Sequence, residues 1–190
     1  MLQQIDDFFG LVARGQVDIY NEFSLQHELG VYLRDRLANA KVQFERPVKF
    51  FSFPRDNFLK REIDISVFDS PEQLSAAFEL KFPRSGQYPE QMFKACQDIC
   101  FLEQLVSAGF PRGYFIMAAD NPLFYRREVI DGIYAMFRGC APITGQIFGP
   151  TGDRSRSVTL AHHYNVDWHE VTGMLHYFVI EVAPVRPSVE

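Results

Sequence analysis

The chain has few cysteines, and it lacks the hydrophobic segments that mark a secreted or membrane protein. Its three cysteines, Cys96, Cys100 and Cys140, do not make the even set that a disulfide framework needs. No apolar run is long enough to cross a bilayer, and the first residues carry acids early instead of the hydrophobic core of a signal peptide. These absences predict a cytoplasmic protein that has no contact with a membrane.

A surplus of basic residues is also absent. The formal net charge is −5, from 19 Lys and Arg against 24 Asp and Glu. A protein that binds nucleic acid over its whole surface is normally basic, so any such contact must come from a local patch. The sequence has no G-x-S-x-G motif, and Cys96 and Cys100 lie among apolar neighbours as inert side chains would. A serine or cysteine nucleophile is therefore excluded.

The sequence shows no internal repeat, low-complexity segment or linker that would divide it. Its length and its hydrophobic content of 47% suit one domain with a sizeable core. We predict a single domain over residues 1–190, with a core at 18–138, a C-terminal strand extension at 140–183 and a tail at 184–190.

Two adjacent strands, from Glu62 to Phe68 and from Ser75 to Phe82, are predicted to carry acids side by side. Alternation places Asp64 on one face of the first strand, and Glu79 with Lys81 on one face of the second. Pairing of these strands would bring the two carboxylates within a few ångströms, where they repel unless a cation or a proton lies between them. Mg²⁺ commonly binds one or two carboxylates together with water and a substrate phosphate.

The surrounding pattern predicts an α/β fold with a mixed central sheet flanked by helices. A strand from Lys41 that is interrupted at Pro47 completes an antiparallel meander and is predicted to lie at its edge. A helix from Pro89 to Ala108 leads to an apolar strand at 112–119, which a crossover would place parallel to the Glu79 strand. A helix over 121–137 and strands at 157–164 and 175–182 are predicted to follow, with the strands extending the sheet.

Asp64 on one strand, followed by Glu79-Leu80-Lys81 at the end of the next, resembles the motif of the PD-(D/E)xK nuclease superfamily. The resemblance covers about residues 23–119, with Ile63 in place of the proline. It implies a restriction-endonuclease-like fold and a metal-dependent hydrolase, either an endonuclease or an exonuclease, that cleaves phosphodiester bonds of nucleic acid, with DNA favoured over RNA. Asp64, Glu79 and the carbonyl of Leu80 would hold Mg²⁺, for which Mn²⁺ would substitute, and Lys81 would position the attacking water.

The resemblance also implies roles for residues outside the motif. The helix before the core sheet often supplies a further acid to the metal site in this superfamily; Glu28 is the first candidate and Glu22 the second. Polar residues after the motif would contact nucleic acid: Arg84, Gln91, Lys94 and Gln97. Many relatives act as dimers, and the acidic net charge leaves room for a homodimer or for a partner subunit that recognises the nucleic acid.

Two other interpretations remain open. In the first, Asp64, Glu79 and Lys81 form a structural ion-pair network in a catalytically silent module that binds protein or nucleic acid. In the second, a C-terminal group of imidazoles and a carboxylate binds zinc: His162, His163, Asp167, His169 and His176. No pair in that group has the i, i+4 spacing of a helical zinc site, and adjacent His162 and His163 would point to opposite faces of a strand, so ordinary surface histidines are favoured.

Overall fold

The computed structural model describes residues 1–53, 57–84, 86–126, 128, 130–150 and 155–184. The helices are α1 (Leu2–Ala13), α2 (Glu22–Arg36), α3 (Tyr88–Ala108) and α4 (Gly132–Phe137), and a 3₁₀ helix covers Val48–Phe51. The strands are β1 (Lys41–Pro47), β2 (Glu62–Ser70), β3 (Gln73–Lys81), β4 (Gly113–Ala119), β5 (Ile143–Phe148), β6 (Ser157–Tyr164), β7 (His169–Thr172) and β8 (Leu175–Val182). The predicted tail lies outside the described residues beyond Pro184.

The main sheet has six strands in the order β1-β2-β3-β4-β8-β7. Strands β1, β2 and β3 form an antiparallel meander with β1 at the edge, as the interruption at Pro47 predicted. Helix α3 carries the chain across to β4, which pairs parallel to β3. Strands β8 and β7 add antiparallel pairs. The predicted α/β class with a mixed sheet flanked by helices is therefore confirmed.

The register between β2 and β3 determines which side chains meet. Ile65 pairs with Phe78, and Ser66 pairs with Ala77. One step further along this register, Asp64 lies opposite Glu79. Because side chains alternate along a strand, both acids project from the same face of the sheet, and Lys81 follows Glu79 on that face.

The sheet has a hydrophobic core on each side. Helices α1 and α2 cover the face that carries Ile65, Phe78 and Leu80, and an apolar stripe on α2 contributes Leu25, Leu29 and Leu33, all fully buried. The side chain of Phe23 is 71% exposed because it lies outside the i, i+4 row of leucines. Helix α3 covers the opposite face, the one from which Asp64 and Glu79 project.

Gly30 allows α2 to approach β1 closely. A Cβ atom at this position would lie 2.0 Å from Cε1 of Phe44 on β1, well inside van der Waals contact. Glu22 and Gln26 precede Gly30 at four-residue spacing and therefore lie on the same side of the helix. The close approach at Gly30 thus carries two polar side chains of α2 towards the sheet.

The C-terminal third differs from the prediction in two ways. The predicted helix over 121–137 is confirmed only in its last part: Asn121 to Tyr125 form turns, and α4 begins at Gly132, whose φ of +52° is incompatible with a continuous α-helix. Arg127 and Val129 lie outside the described residues. The strand at 175–182 does extend the main sheet, but β6 pairs with β5 in a separate two-stranded sheet. This small sheet packs on α3, whose Glu103 accepts the backbone N–H groups of Ala161 and His162 at 2.9 and 3.0 Å.

No helix within the described ranges is both long and apolar enough to pass through a membrane.

Candidate functional site

Asp64 and Glu79 bind each other's strands across the β2–β3 pair. The backbone N–H of Leu80 donates to Oδ2 of Asp64 at 2.7 Å, and the backbone N–H of Asp64 lies 3.3 Å from Oε1 of Glu79. The Glu79 side chain is fully buried, and that of Asp64 is 19% exposed. The structure therefore brings together the two acids that the strand pattern placed side by side.

Lys60 supplies a cation among these acids, and the sequence analysis missed it. Its ammonium group contacts Oε2 of Glu79 and lies 3.2 Å from Oδ1 of Asp98 and 3.7 Å from Oδ1 of Asp64. Lys60 precedes β2, four residues before Asp64. It is a single lysine in a connecting segment, and no periodic pattern in the sequence marks it as part of a site.

Asp98 on α3 is the third carboxylate. It is only 5% exposed and faces the sheet, and the sequence did not lead us to predict a role for it. Its Oδ2 atom lies 3.2 Å from the Lys81 ammonium and forms an ion pair with it. The signal was present in the sequence: Asp98 follows Ala95 by three residues and precedes Leu102 by four, so it lies within the apolar stripe. We call Asp64, Glu79, Asp98, Lys60 and Lys81 the charged cluster.

Glu22, and not Glu28, is the acid that α2 brings to this region. Oε1 of Glu22 lies 3.3 Å from the Lys81 ammonium, and Oε2 accepts the backbone N–H of Phe82 at 3.0 Å. Asn21 caps α2 in a reciprocal pair with Ser24, which fixes Glu22 in the first turn at the end of β3. Glu28, the first candidate from the sequence, lies nearly two turns further on, where its carboxylate contacts exposed His27 at 3.2 Å. The described contacts of Glu28 therefore do not join it to the charged cluster.

Gln26 fixes the backbone beneath the cluster. Its side-chain amide donates to the carbonyl oxygen of Asp64 at 2.8 Å and to Oε1 of Glu45 at 2.5 Å. The side chain is buried, so these hydrogen bonds hold β2 at the position from which Asp64 projects. The close packing at Gly30, one turn along the same helix, supports this contact.

Burial and charge shift the pKa values of the cluster. Burial raises the pKa of Asp64 to about 6, against the lowering effect of Lys60. Burial, together with the charge of Asp64, raises the pKa of Glu79 well above its ordinary value. Burial alone would lower the pKa of Lys60 and of Lys81, but the neighbouring carboxylates outweigh it and raise both. Both lysines are therefore held in their charged form.

The cluster contains more acidic than basic groups. Asp64, Glu79 and Asp98 face two ammonium groups, and Glu22 adds a fourth carboxylate beside Lys81. Excess negative charge in a buried site is costly, and a proton or an additional cation relieves it. The raised pKa values of Asp64 and Glu79 mean that these carboxylates take up a proton more readily, which lowers the excess negative charge.

The four predicted nucleic-acid contacts are spread over the neighbouring surface. Gln91 and Lys94 precede Asp98 by seven and four residues on α3, so they continue its side of the helix outward, with Gln91 half-buried and Lys94 exposed. Gln97 is half-buried next to Asp98. Arg84 is 48% exposed, pairs with Asp120 and lies over the Phe82 ring at 5.2 Å. No contact between these four side chains and the charged cluster occurs in the described part of the chain.

The C-terminal histidines make separate contacts and do not form a metal site. The ring of His176 stacks on Tyr125 at 4.0 Å, the His169 ring lies 5.4 Å from that of Tyr177, and His162 contacts Tyr164. Across the described residues, no three His, Cys, Asp or Glu side chains are arranged so that they alone could hold a metal ion.

The two helical thiols are inert, as the sequence predicted. Cys96 and Cys100 lie on α3 with free sulfhydryl groups, and both are buried. Burial raises the pKa of Cys96 well above its ordinary value and that of Cys100 to about 11. A neutral, buried thiol is a poor nucleophile.

No family model matches the chain, and no curated protein or solved structure shows significant similarity to it.

Proposed function

We propose that the protein is an Mg²⁺-dependent nuclease that hydrolyses phosphodiester bonds of nucleic acid, with DNA as the favoured substrate. The observation that carries the proposal is the placement of Asp64 and Glu79 opposite each other on one face of the sheet, with Lys81 two residues beyond Glu79 on the same face. The antiparallel meander and the parallel crossover to β4 support a likeness to the PD-(D/E)xK nucleases.

The residues present are suited to a divalent ion. Asp64 and Glu79 supply two adjacent carboxylates, and Mg²⁺ typically takes one or two carboxylates and completes its shell with water and phosphate. Oδ2 of Asp98 is a buried oxygen whose nearest charged partner is the Lys81 ammonium, 3.2 Å away. The excess of carboxylates over lysines favours an additional cation. Asp64 and Glu79 would hold it, with the Leu80 carbonyl as a further oxygen ligand.

A bound Mg²⁺ lowers the pKa of a water ligand and neutralises charge on the scissile phosphate. The chain's own groups prepare the site for this chemistry. Lys81 keeps its charge because Asp98 and Glu22 flank it, so its ammonium can donate to an attacking water or to a phosphate oxygen. Gln26 and the paired backbones of β2 and β3 hold the carboxylates at fixed positions, which lowers the reorganisation that the reaction requires.

The catalytically silent module remains the second candidate, and the position of Lys60 favours it. An ammonium group that contacts Glu79 and lies within 4 Å of two further carboxylates, at 3.2 and 3.7 Å, already supplies a positive charge at this place. In that case the cluster is a structural ion-pair network, and no divalent ion replaces Lys60.

A cleavage assay separates the two candidates. Purified protein is incubated with single-stranded, duplex and branched DNA and with RNA, in Mg²⁺, Mn²⁺ or EDTA. We expect metal-dependent cleavage of at least one substrate, and we expect Glu79→Gln to lower its rate by about a hundredfold or more. Asp69→Asn is the matched control, because Asp69 is an exposed acid on the same strand as Asp64 and its neutralisation leaves the cluster intact. Cleavage that persists in Glu79→Gln, or no cleavage by a folded wild type, would contradict the proposal.

A further inference from the structure

A cleft of about 890 Å³ lies beside the charged cluster, between the 3₁₀ helix and the segment that leads into β2. Its volume falls within the usual range of ligand sites. The charged and aromatic residues that line it are Lys49, Phe53, Phe58, Lys60, Arg61 and Glu62. The sequence analysis assigned no role to this region.

The cleft is basic although the chain as a whole is acidic. Its lining contains Lys49 and Arg61 against one carboxylate, Glu62, while the charge of the third basic residue, Lys60, is compensated by the acids of the charged cluster and the chain carries a formal net charge of −5. Lys49 and Arg61 are exposed, and neither is within ion-pair distance of a carboxylate in the described part of the chain. Two cations without partners therefore face solvent at one place, which is the local patch that an acidic nucleic-acid-binding protein needs.

The walls of the cleft are fixed to the core. The backbone N–H of Val48 donates to the carbonyl of Arg61 at 2.9 Å, which joins the 3₁₀ helix to the opposite wall. The backbone N–H of Leu59 donates to Oε1 of Gln104 on α3 at 2.8 Å. The Phe58 ring packs edge-on against buried Phe101 at 6.2 Å. The basic residues are therefore presented by an anchored backbone.

Lys60 connects the cleft to the charged cluster. It lines the cleft, and its ammonium contacts Glu79 and Asp98. Arg61 and Glu62 follow it directly, and Asp64 comes two residues later on β2. A chain of phosphates bound in the cleft would therefore continue towards the acids of the proposed metal site.

We infer that this cleft binds the phosphate backbone of a nucleic-acid strand and guides it to the charged cluster. The inference rests on the proposed nuclease function and specifies where its substrate enters. Lys49 and Arg61 contact phosphate oxygens, and the half-buried rings of Phe53 and Phe58 provide apolar surface for sugars or unpaired bases.

Charge reversal tests the cleft. Binding of labelled single-stranded and duplex DNA is measured by fluorescence anisotropy, with Ca²⁺ in place of Mg²⁺ so that binding is read before cleavage. We expect Lys49→Glu and Arg61→Glu each to weaken binding about tenfold. We also expect each to reduce the slope of log affinity against log salt concentration by about one, the value for one lost phosphate contact. Lys41→Glu is the matched control: Lys41 is exposed at the other end of β1 from Pro47, and the net-charge change is the same. We expect it to weaken binding less than about twofold.

Four results would overturn the inference. If Lys41→Glu weakens binding as much as the two cleft variants, the effect is that of net charge. If the wild type cleaves DNA and the cleft variants bind DNA like the wild type, the cleft is not the entry site, although the proposed nuclease function stands. If a nucleoside monophosphate at equal phosphate concentration displaces the DNA completely, the cleft is a nucleotide pocket. A folded wild type that neither binds nor cleaves any nucleic acid would contradict both proposals.

Discussion

The charged cluster and the C-terminal histidine region both contain several polar groups of the types that bind metal, yet among the described residues only in the charged cluster do these groups contact one another. Residues of the cluster come from the segment before β2, from β2, β3 and α3, and they share contacts within 4 Å, at 3.2 and 3.7 Å around Lys60. The histidines are closer in sequence, but each contacts a different aromatic partner.

The difference shows what brings a set of polar residues together in the folded chain. Strand pairing and the packing of α3 bring distant acids to one buried place, where their charges interact strongly and their pKa values shift. His169 and His176 lie on an edge strand and on its neighbour, close to solvent, and spacing in the sequence alone does not direct them to a common point. Three predictions test this contrast.

The largest effect is expected from removing the central cation. Lys60→Met leaves Asp64, Glu79 and Asp98 with Lys81 alone, so we expect a loss of about 3 kcal/mol in the free energy of unfolding at neutral pH. Millimolar Mg²⁺ should restore part of this loss, because the ion replaces the missing charge. Urea unfolding with and without Mg²⁺ measures both effects. Lys41→Met, at an exposed position, is the control, and equal stability of the two variants would contradict a central role for Lys60.

A change in pH is expected to have a smaller effect on the free energy of unfolding. The pKa of Asp64 is raised from 3.8 to about 6 in the folded state, so the folded protein binds a proton more tightly than the unfolded chain does. The stability that this tighter proton binding contributes is present at acid pH and is lost as the pH rises through about 6. When the pH falls from 8 to 5, the free energy of unfolding should increase by about 1.5 kcal/mol through this group.

The measurement compares urea unfolding of the wild type with that of Asp64→Asn over this range. Both proteins carry the same histidines, so the difference between their pH profiles reports the carboxyl group of Asp64 together with its effect on the titration of Glu79. Identical profiles would show that the burial of Asp64 does not shift its titration.

The smallest expected effect on stability comes from the two candidate acids on α2, Glu22 and Glu28, and it distinguishes them. Glu22→Gln removes the partner of Lys81 at an exposed edge of the cluster, and we expect a loss of about 1 kcal/mol in stability. Glu28→Gln changes only an exposed contact with His27, and we expect less than about 0.5 kcal/mol. A larger effect from Glu28→Gln would restore the first choice made from the sequence.

Local pattern was sufficient to predict the meander, the parallel crossover and the pairing of Asp64 with Glu79. These features follow from alternation, from turn residues and from the rule for crossovers, all of which act over short stretches of chain. Lys60 and Glu22 could not be assigned in the same way, because their roles depend on how a connecting segment and a helix end pack against the sheet. Among the described residues, turns replace the predicted helix at Asn121 to Tyr125, and the apolar spacing along the sequence shows no sign of them.

Direct titration of metal tests the central claim that the charged cluster holds a divalent cation. Mg²⁺ and Mn²⁺ are titrated calorimetrically into the wild type, Asp64→Asn and His169→Ala. We predict binding to the wild type and to His169→Ala, and its loss in Asp64→Asn with the fold intact. No binding to a folded wild type, or binding that His169→Ala abolishes while Asp64→Asn retains it, would contradict the claim.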